Sequence, residues 1–285
     1  MTLQSGFVQC GPIRLHHLFG GSGEPALVFV HGLGSAGFIE WRSNLDPMAM
    51  RHRVYAPDLP GFGRSDKPRG AYGVEFFARA LEDYMQALGI SGATMVGASL
   101  GGRVALELAL NHPHRVKRLV LVNSVGLGRP RPRPYYPLLV LPALGELLMR
   151  ATRLALWRAP AGLILGLRRR ATGAHAESAP DPEYLGQLRE MHDSPGFARA
   201  YLATLRSLAA PFRGGVHDLR SRLHEIAIPV LLVWGAGDTL LPLRHALLAR
   251  DLIAGAELRV IASAGHSPHR ERSGEFNRVL LDFAG

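Results

Sequence analysis

Apolar positions along the chain fall into two kinds of run. Ala26–Val30, Leu119–Val122 and Val230–Val233 are unbroken, and Arg53–Ala56, Ala93–Val96 and Leu258–Ile261 are nearly so. Runs this short, without alternation, fit strands buried on both faces. Between them lie segments with apolar residues at helical spacing: Glu40–Met50, Val74–Leu88, Arg103–Leu110, Arg244–Leu252 and Glu275–Phe283. Pro47 weakens the first of these helices and Gly89 ends the second. Phe7–Cys10 and Ile13–Phe19, joined at Gly11-Pro12, read as an antiparallel pair. Alternation of this kind predicts a mostly parallel sheet with helices on both faces.

The pattern breaks between Gly126 and about Arg213. The break opens on the stiff run Arg129-Pro130-Arg131-Pro132-Arg133-Pro134. A Leu- and Ala-rich stretch, Leu138–Leu167, follows and ends at Arg168-Arg169-Arg170; Ala171–Pro182 reads as a loop, and Tyr184–Met191 and Ala198–Leu208 as helices. This predicts a core domain of residues 1–125 and 214–285 with an inserted helical cap at 126–213. Pro142, Pro160, Glu146, Arg150, Arg153 and Arg158 interrupt the leucine-rich stretch. A spanning helix needs about 20 apolar residues nearly free of charge, so stable membrane insertion is not expected.

Polar groups stand just past several strands, the edge where ligands bind in open parallel sheets. Ser99 is central in Gly97-Ala98-Ser99-Leu100-Gly101, between a strand and a helix. Two glycines permit a sharp turn that exposes a nucleophile on a rigid element. A serine hydroxyl needs a base within hydrogen-bond reach and a third group to hold the base's tautomer. Among thirteen histidines, His266 follows a strand through Gly265 and lies 28 residues beyond Asp238, room for one helix and one strand. Asp238 itself follows Val230–Val233 through Trp234-Gly235-Ala236-Gly237. His31, in His31-Gly32-Leu33-Gly34, is the rival histidine, and a structural role in its loop is expected for it. His269 lies close to His266 in sequence. Asp58 is expected to organise the loop through Gly63. His31, Gly32, Phe38, Trp41 and Arg103 are candidates for the substrate pocket, with an ion pair for Arg103 and core packing for Phe38 and Trp41 as the alternatives.

These segments together resemble the α/β-hydrolase superfamily, in the serine-nucleophile branch with a helical cap after the sixth strand. The resemblance rests on His31–Gly34, on Asp58–Pro68 and on Gly97–Gly101, and runs from about Phe7 to Phe283. It implies an eight-stranded α/β-hydrolase fold and a triad in the order Ser99, Asp238, His266. It implies an oxyanion hole from the amides of Leu33 and Leu100, with Gly32 allowing close approach. Relatives with an alternative acid place it after the sixth strand, where this chain has Asn123. Serine at position 99 disfavours dehalogenase and epoxide hydrolase chemistry, which use aspartate there. Carbon–carbon bond hydrolases of ring-cleavage pathways do use serine, and Glu275-Phe276-Asn277-Arg278 resembles them. Ser35-Ala36-Gly37, Ala98 and Ser267 depart from their pattern of proline–glycine, asparagine and tryptophan. The expectation is therefore a carboxylesterase acting on a small-molecule acyl ester. Carbon–carbon bond cleavage is the alternative, with thioester or acyl-carrier hydrolysis and a non-catalytic ligand receptor further off.

Composition changes little. With 47% hydrophobic residues, 285 residues can bury a large core. The net charge of +10 comes almost wholly from dispersed arginines, Lys67 and Lys117 being the only lysines. No nucleic-acid motif accompanies them, so no nucleic-acid partner is expected. Cys10 stands alone, which excludes an intrachain disulfide and gives no metal-ligand set; no metal and no cofactor is expected. The first residues lack a basic segment followed by an apolar run, which points to a cytoplasmic protein.

Overall fold

The unbroken apolar runs become interior strands of a single sheet in the computed structural model, which describes residues 3–129, 131, 136–158, 182–209 and 219–285. Its strands are β1 (Gln4–Cys10), β2 (Ile13–Gly20), β3 (Leu27–Val30), β4 (Val54–Pro57), β5 (Ala93–Ala98), β6 (Val116–Val122), β7 (Val230–Gly235) and β8 (Glu257–Ile261). Their spatial order is β1-β2-β4-β3-β5-β6-β7-β8. β1 and β2 form the expected antiparallel pair and β2 runs antiparallel to β4; every other pairing is parallel.

The strands alternate between two cores, which is why they lack polar positions. Val28, Val30, Met95, Leu119 and Leu232 join one cluster; Leu27, Phe29, Val96, Val120 and Val233 join the other. Helices α2 (Val74–Ala87), α3 (Leu100–Asn111) and α8 (Arg244–Leu252) cover the first face through residues such as Phe77, Tyr84, Val104 and Ala246. Helices α1 (Gly37–Ala49) and α10 (Ser273–Ala284) cover the second through Trp41, Leu45, Phe276 and Leu280. A short α9 (Pro268–Glu271) precedes α10.

Helix α1 continues through Pro47. Pro47 has no N–H to give to the carbonyl one turn back. That carbonyl, on Ser43, instead accepts the Asn277 amide at 3.0 Å, so a distant side chain from α10 replaces the missing bond.

Among the described residues, four α-helices lie between β6 and β7: α4 (Tyr136–Val140), α5 (Leu144–Arg158), α6 (Pro182–Asp193) and α7 (Phe197–Ala209). The leucine-rich stretch is broken at Ala143, which has φ of +64° and separates α4 from α5. Its part beyond Arg158, the triple arginine, the loop at 171–181 and most of the proline-rich opening lie outside the described residues. The two ends of the insertion meet where Leu219 N–H bonds Gly126 O at 3.2 Å. Helix α6 reaches the loop after β4 through Glu190, paired with Arg64 at 3.0 Å, and α9 through the Tyr184 hydroxyl, which accepts a hydrogen bond from Arg270 at 3.1 Å. Helix α7 lays Tyr201 against Gly34 and Ala200 against Gly61. No helix among the described residues is long and apolar enough to cross a membrane.

Candidate active site

The sharpest turn in the core falls at Ser99. Its φ of +52° and ψ of −113° lie in a region that residues with a Cβ rarely enter. The neighbours explain how the strain is held. Ser99 N–H donates to Val122 O at 3.0 Å, and Ser99 O accepts from Val125 N–H at 3.1 Å. A Cβ on Gly97 would stand 2.5 Å from Gly101 O, and one on Gly101 would stand 2.1 Å from Val30 O. Strand β5, helix α3 and strand β3 therefore approach so closely that only glycine fits. Ser99 itself is partly exposed at the C-terminal edge of the sheet.

Asp238 follows β7 and His266 follows β8 on that same edge, and the structure joins them: His266 Nδ1 lies 2.7 Å from Asp238 Oδ2. The Asp238 side chain is fully buried. Its Oδ1 accepts the N–H groups of Leu240 and Leu241 at 2.7 and 2.9 Å. Its Oδ2 also accepts the Asn123 amide. Burial pushes the carboxyl's pKa up, but His266, the Leu241 N–H and Asn123 outweigh it and hold the group below its ordinary value. A carboxylate with this set of donors fixes His266 with its proton on Nδ1 and its Nε2 free to accept.

Asn123 follows β6, between the strands that carry Ser99 and Asp238. It is fully buried, has φ of +41°, and its Oδ1 takes the Gly235 N–H at 3.1 Å while its amide faces Asp238. It thus helps hold the Asp238 carboxylate in place. The sequence marks the position but not this contact, which spans 115 residues.

The loop after β3 comes up beside Ser99. A Cβ on Gly32 would stand 3.4 Å from the Ser99 Cβ. His31 is fully buried; its Nδ1 donates to Gly32 O at 2.8 Å and its Nε2 accepts Leu59 N–H at 2.9 Å. Burial holds its pKa below the ordinary value despite Asp58, so it is a neutral brace between two loops. Asp58 bonds Gly37 N–H, Arg64 N–H and His16, joining α1 to the loop after β4. The Leu33 and Leu100 amides, one in this loop and one at the first residue of α3, have no acceptor among the described residues.

The structure places the candidate pocket residues in different surroundings. Trp41 is fully buried among Phe29, His269 and Phe276, on the α1 face of the sheet rather than at a pocket. Arg103 is buried and paired with Glu107 on the same helix. His31 is enclosed by its own loops, as above. Phe38 lines a cavity of about 220 Å³ together with His16, Arg64 and Glu190, and neither Ser99 nor His266 lines it. Gly32 lies against Ser99, and the Arg103 N–H bonds Ser99 O at 3.3 Å while its side chain turns to Glu107.

Two further carboxylates, Glu271 and Glu40, carry no site signal of their own in the sequence. Glu271, on α9, accepts Gly265 N–H and Ser267 N–H, each at 2.9 Å. His269 Nε2 lies 2.9 Å from Glu40 Oε1. Burial raises the Glu40 pKa, but the His269 bond and charge dominate and keep it ionised well below the usual carboxylate range. A glutamate five residues after a histidine that follows a glycine is the signal in the sequence that could have found Glu271.

Known proteins are similar to this chain in sequence and fold. An uncharacterized protein of Mycobacterium tuberculosis is 34% identical over 272 residues, covering 92% of this chain and 76% of that protein. A 2-hydroxy-6-oxononadienedioate/2-hydroxy-6-oxononatrienedioate hydrolase of Paraburkholderia phymatum is 32% identical, covering 96% and 91%. Est816, described as an N-acyl homoserine lactone degrading enzyme, superposes with a TM-score of 0.72 at 28% identity, covering 98% and 100%. The alpha/beta hydrolase fold family matches residues 25–273. On the sheet order, the turn at Ser99 and this match, the chain belongs to the alpha/beta hydrolase fold family.

Proposed function

We propose that the protein is a serine hydrolase that cleaves carboxylic acyl esters through an acyl-enzyme. The observation that carries the reading is the 2.7 Å Asp238–His266 bond on the sheet edge where Ser99 is held at a strained turn. Ser99 Oγ attacks the ester carbonyl while His266 Nε2 takes its proton, and Asp238 stabilises the imidazolium. The Leu33 and Leu100 amides receive the oxyanion, with the N-terminal end of α3 adding favourable field. His266 then protonates the departing alcohol. In the second half, water attacks the acyl group with His266 again as base. No step needs a metal or cofactor. Residues 126–213 act as the cap that closes the pocket, supported by the contacts of α6 and α7 with the loops after β3 and β4.

Carbon–carbon bond hydrolysis is the second reading, favoured by the Paraburkholderia phymatum relative. Against it, Ala98 and Ser267 flank the reacting side chains where resemblance to that class would place asparagine and tryptophan. Parallel kinetics on an aryl acyl ester and on a 2-hydroxy-6-oxo-dienoate separate the two. The proposal expects kcat/KM to be at least about 100-fold higher on the ester, a difference of about 2.7 kcal/mol. The reverse preference would replace it with the second reading.

A further inference from the structure

His266 is held at its ring by Asp238, but a base must also be aimed from its backbone. The segment that carries it, Gly265–Ser267, contributes no strand bonds of its own, and the N–H groups on either side of His266 both point to one carboxylate. Gly265 N–H reaches Glu271 Oε2 and Ser267 N–H reaches Glu271 Oε1, each at 2.9 Å. Glu271 is buried, and it sits at the end of α9, which starts directly after Ser267. The chain turns back so that the Ser267 carbonyl accepts the Arg270 and Glu271 N–H groups at 2.9 Å. A closed ring results, with His266 at its apex. On the other side Gly265 is pressed against β7: a Cβ on Gly235 would stand 1.9 Å from Gly265 O.

We propose that Glu271 is a positioning residue for His266, a two-pronged backbone clamp that sets the imidazole between Asp238 and Ser99. The inference rests on the catalytic reading of His266 given above. A buried carboxylate is costly unless fully hydrogen-bonded, and two amides on two oxygens meet that requirement in a way no neutral side chain of this size can. Gln has one acceptor oxygen, so it satisfies one amide and confronts the other with its own NH2. Asp keeps both acceptors but falls one methylene short.

The test is a double-mutant cycle on ester hydrolysis with Glu271→Gln and His266→Ala, with folding checked by circular dichroism. Glu271→Gln alone is expected to lower kcat about 10- to 100-fold with KM within about twofold, the scale on which a misplacement near 1 Å acts. In the His266→Ala background, where no base remains to be aimed, Glu271→Gln is expected to change the residual rate by less than about twofold. Should Glu271→Gln not fold, Glu271→Asp replaces it in the same cycle, with the same split between kcat and KM. A wild-type kcat in the single variant overturns the proposal. So does an equal loss in both backgrounds, which would mark Glu271 as only structural. If His266→Ala keeps the full rate, the catalytic reading itself fails and this proposal with it, a result distinct from the other two.

Discussion

Asp238→Asn changes one atom, and the structure dictates how the new amide must lie. The carboxylate accepts four donors: Leu240 N–H and Leu241 N–H on Oδ1, and His266 Nδ1–H and the Asn123 amide on Oδ2. An asparagine has one oxygen. Placed toward Leu240 and Leu241 it keeps two backbone bonds, whereas the opposite rotamer turns its NH2 into two N–H groups that have no other acceptor. The NH2 therefore faces His266, which must now accept at Nδ1 and carry its proton on Nε2. That tautomer cannot take the proton of Ser99. The same substitution in a serine protease triad lowers kcat by about 10⁴, and about 10⁴ corresponds to about 5.4 kcal/mol of transition-state stabilisation. The new NH2 also meets the Asn123 amide donor-to-donor, and Asn123 cannot turn over without abandoning Gly235 N–H. A stability loss of roughly 1–3 kcal/mol accompanies the kinetic one. The assay is kcat on a chromogenic acyl ester, with urea unfolding run alongside. A folded Asp238→Asn protein within tenfold of the wild-type kcat would refute the reasoning.

Two other outcomes follow from the packing and the titration of buried groups. Gly101→Ala drives a methyl to within 2.1 Å of Val30 O and 2.6 Å of His31 O, so it should lower stability by roughly 3 kcal/mol; an unfolding midpoint equal to that of the wild type would contradict this. His17 is buried, which lowers its pKa to about 4, with the nearby His16 adding to the shift and Asp58 opposing it. The unfolded chain binds a proton near pH 6.5 and the folded one resists until about 4, so stability is full above 6.5 and falls as pH drops toward 4, by at most about 1.4 kcal/mol per pH unit for this group. His17→Phe should flatten that slope, measured as the melting temperature between pH 7.5 and 4.5; an unchanged slope would show that His17 does not titrate in this way.

The strand ends were legible because they rest on local signals. Ser99 is bracketed by glycines at which a Cβ would have no room, and Asp238 and His266 each follow an apolar strand run. The eight strands and the antiparallel opening pair were legible for the same reason. Helix α1 was harder, because Pro47 argues locally for a break and only the Asn277 amide, far along the chain, makes the helix sound. Asn123 stands out in the sequence as a position but not as a partner of Asp238, since that contact depends on the β6–β7 register. The pocket was least legible. Trp41, following the His31–Gly34 loop, and Arg103, one helical turn after Ser99, are pocket candidates by position in the chain, but a helix face decides where a side chain points, and theirs lead into the core and onto Glu107. Leucine-rich composition likewise could not show where α4 ends and α5 begins.

The central claim is that Ser99 is the residue that becomes acylated. Treating the protein with a serine-directed aryl phosphonate and mapping the adduct by peptide mass spectrometry tests it most directly. The account predicts a single adduct on Ser99, loss of ester hydrolysis in proportion to labelling, and no labelling of a folded Ser99→Ala variant. An adduct on another residue, or full activity in Ser99→Ala, would contradict it.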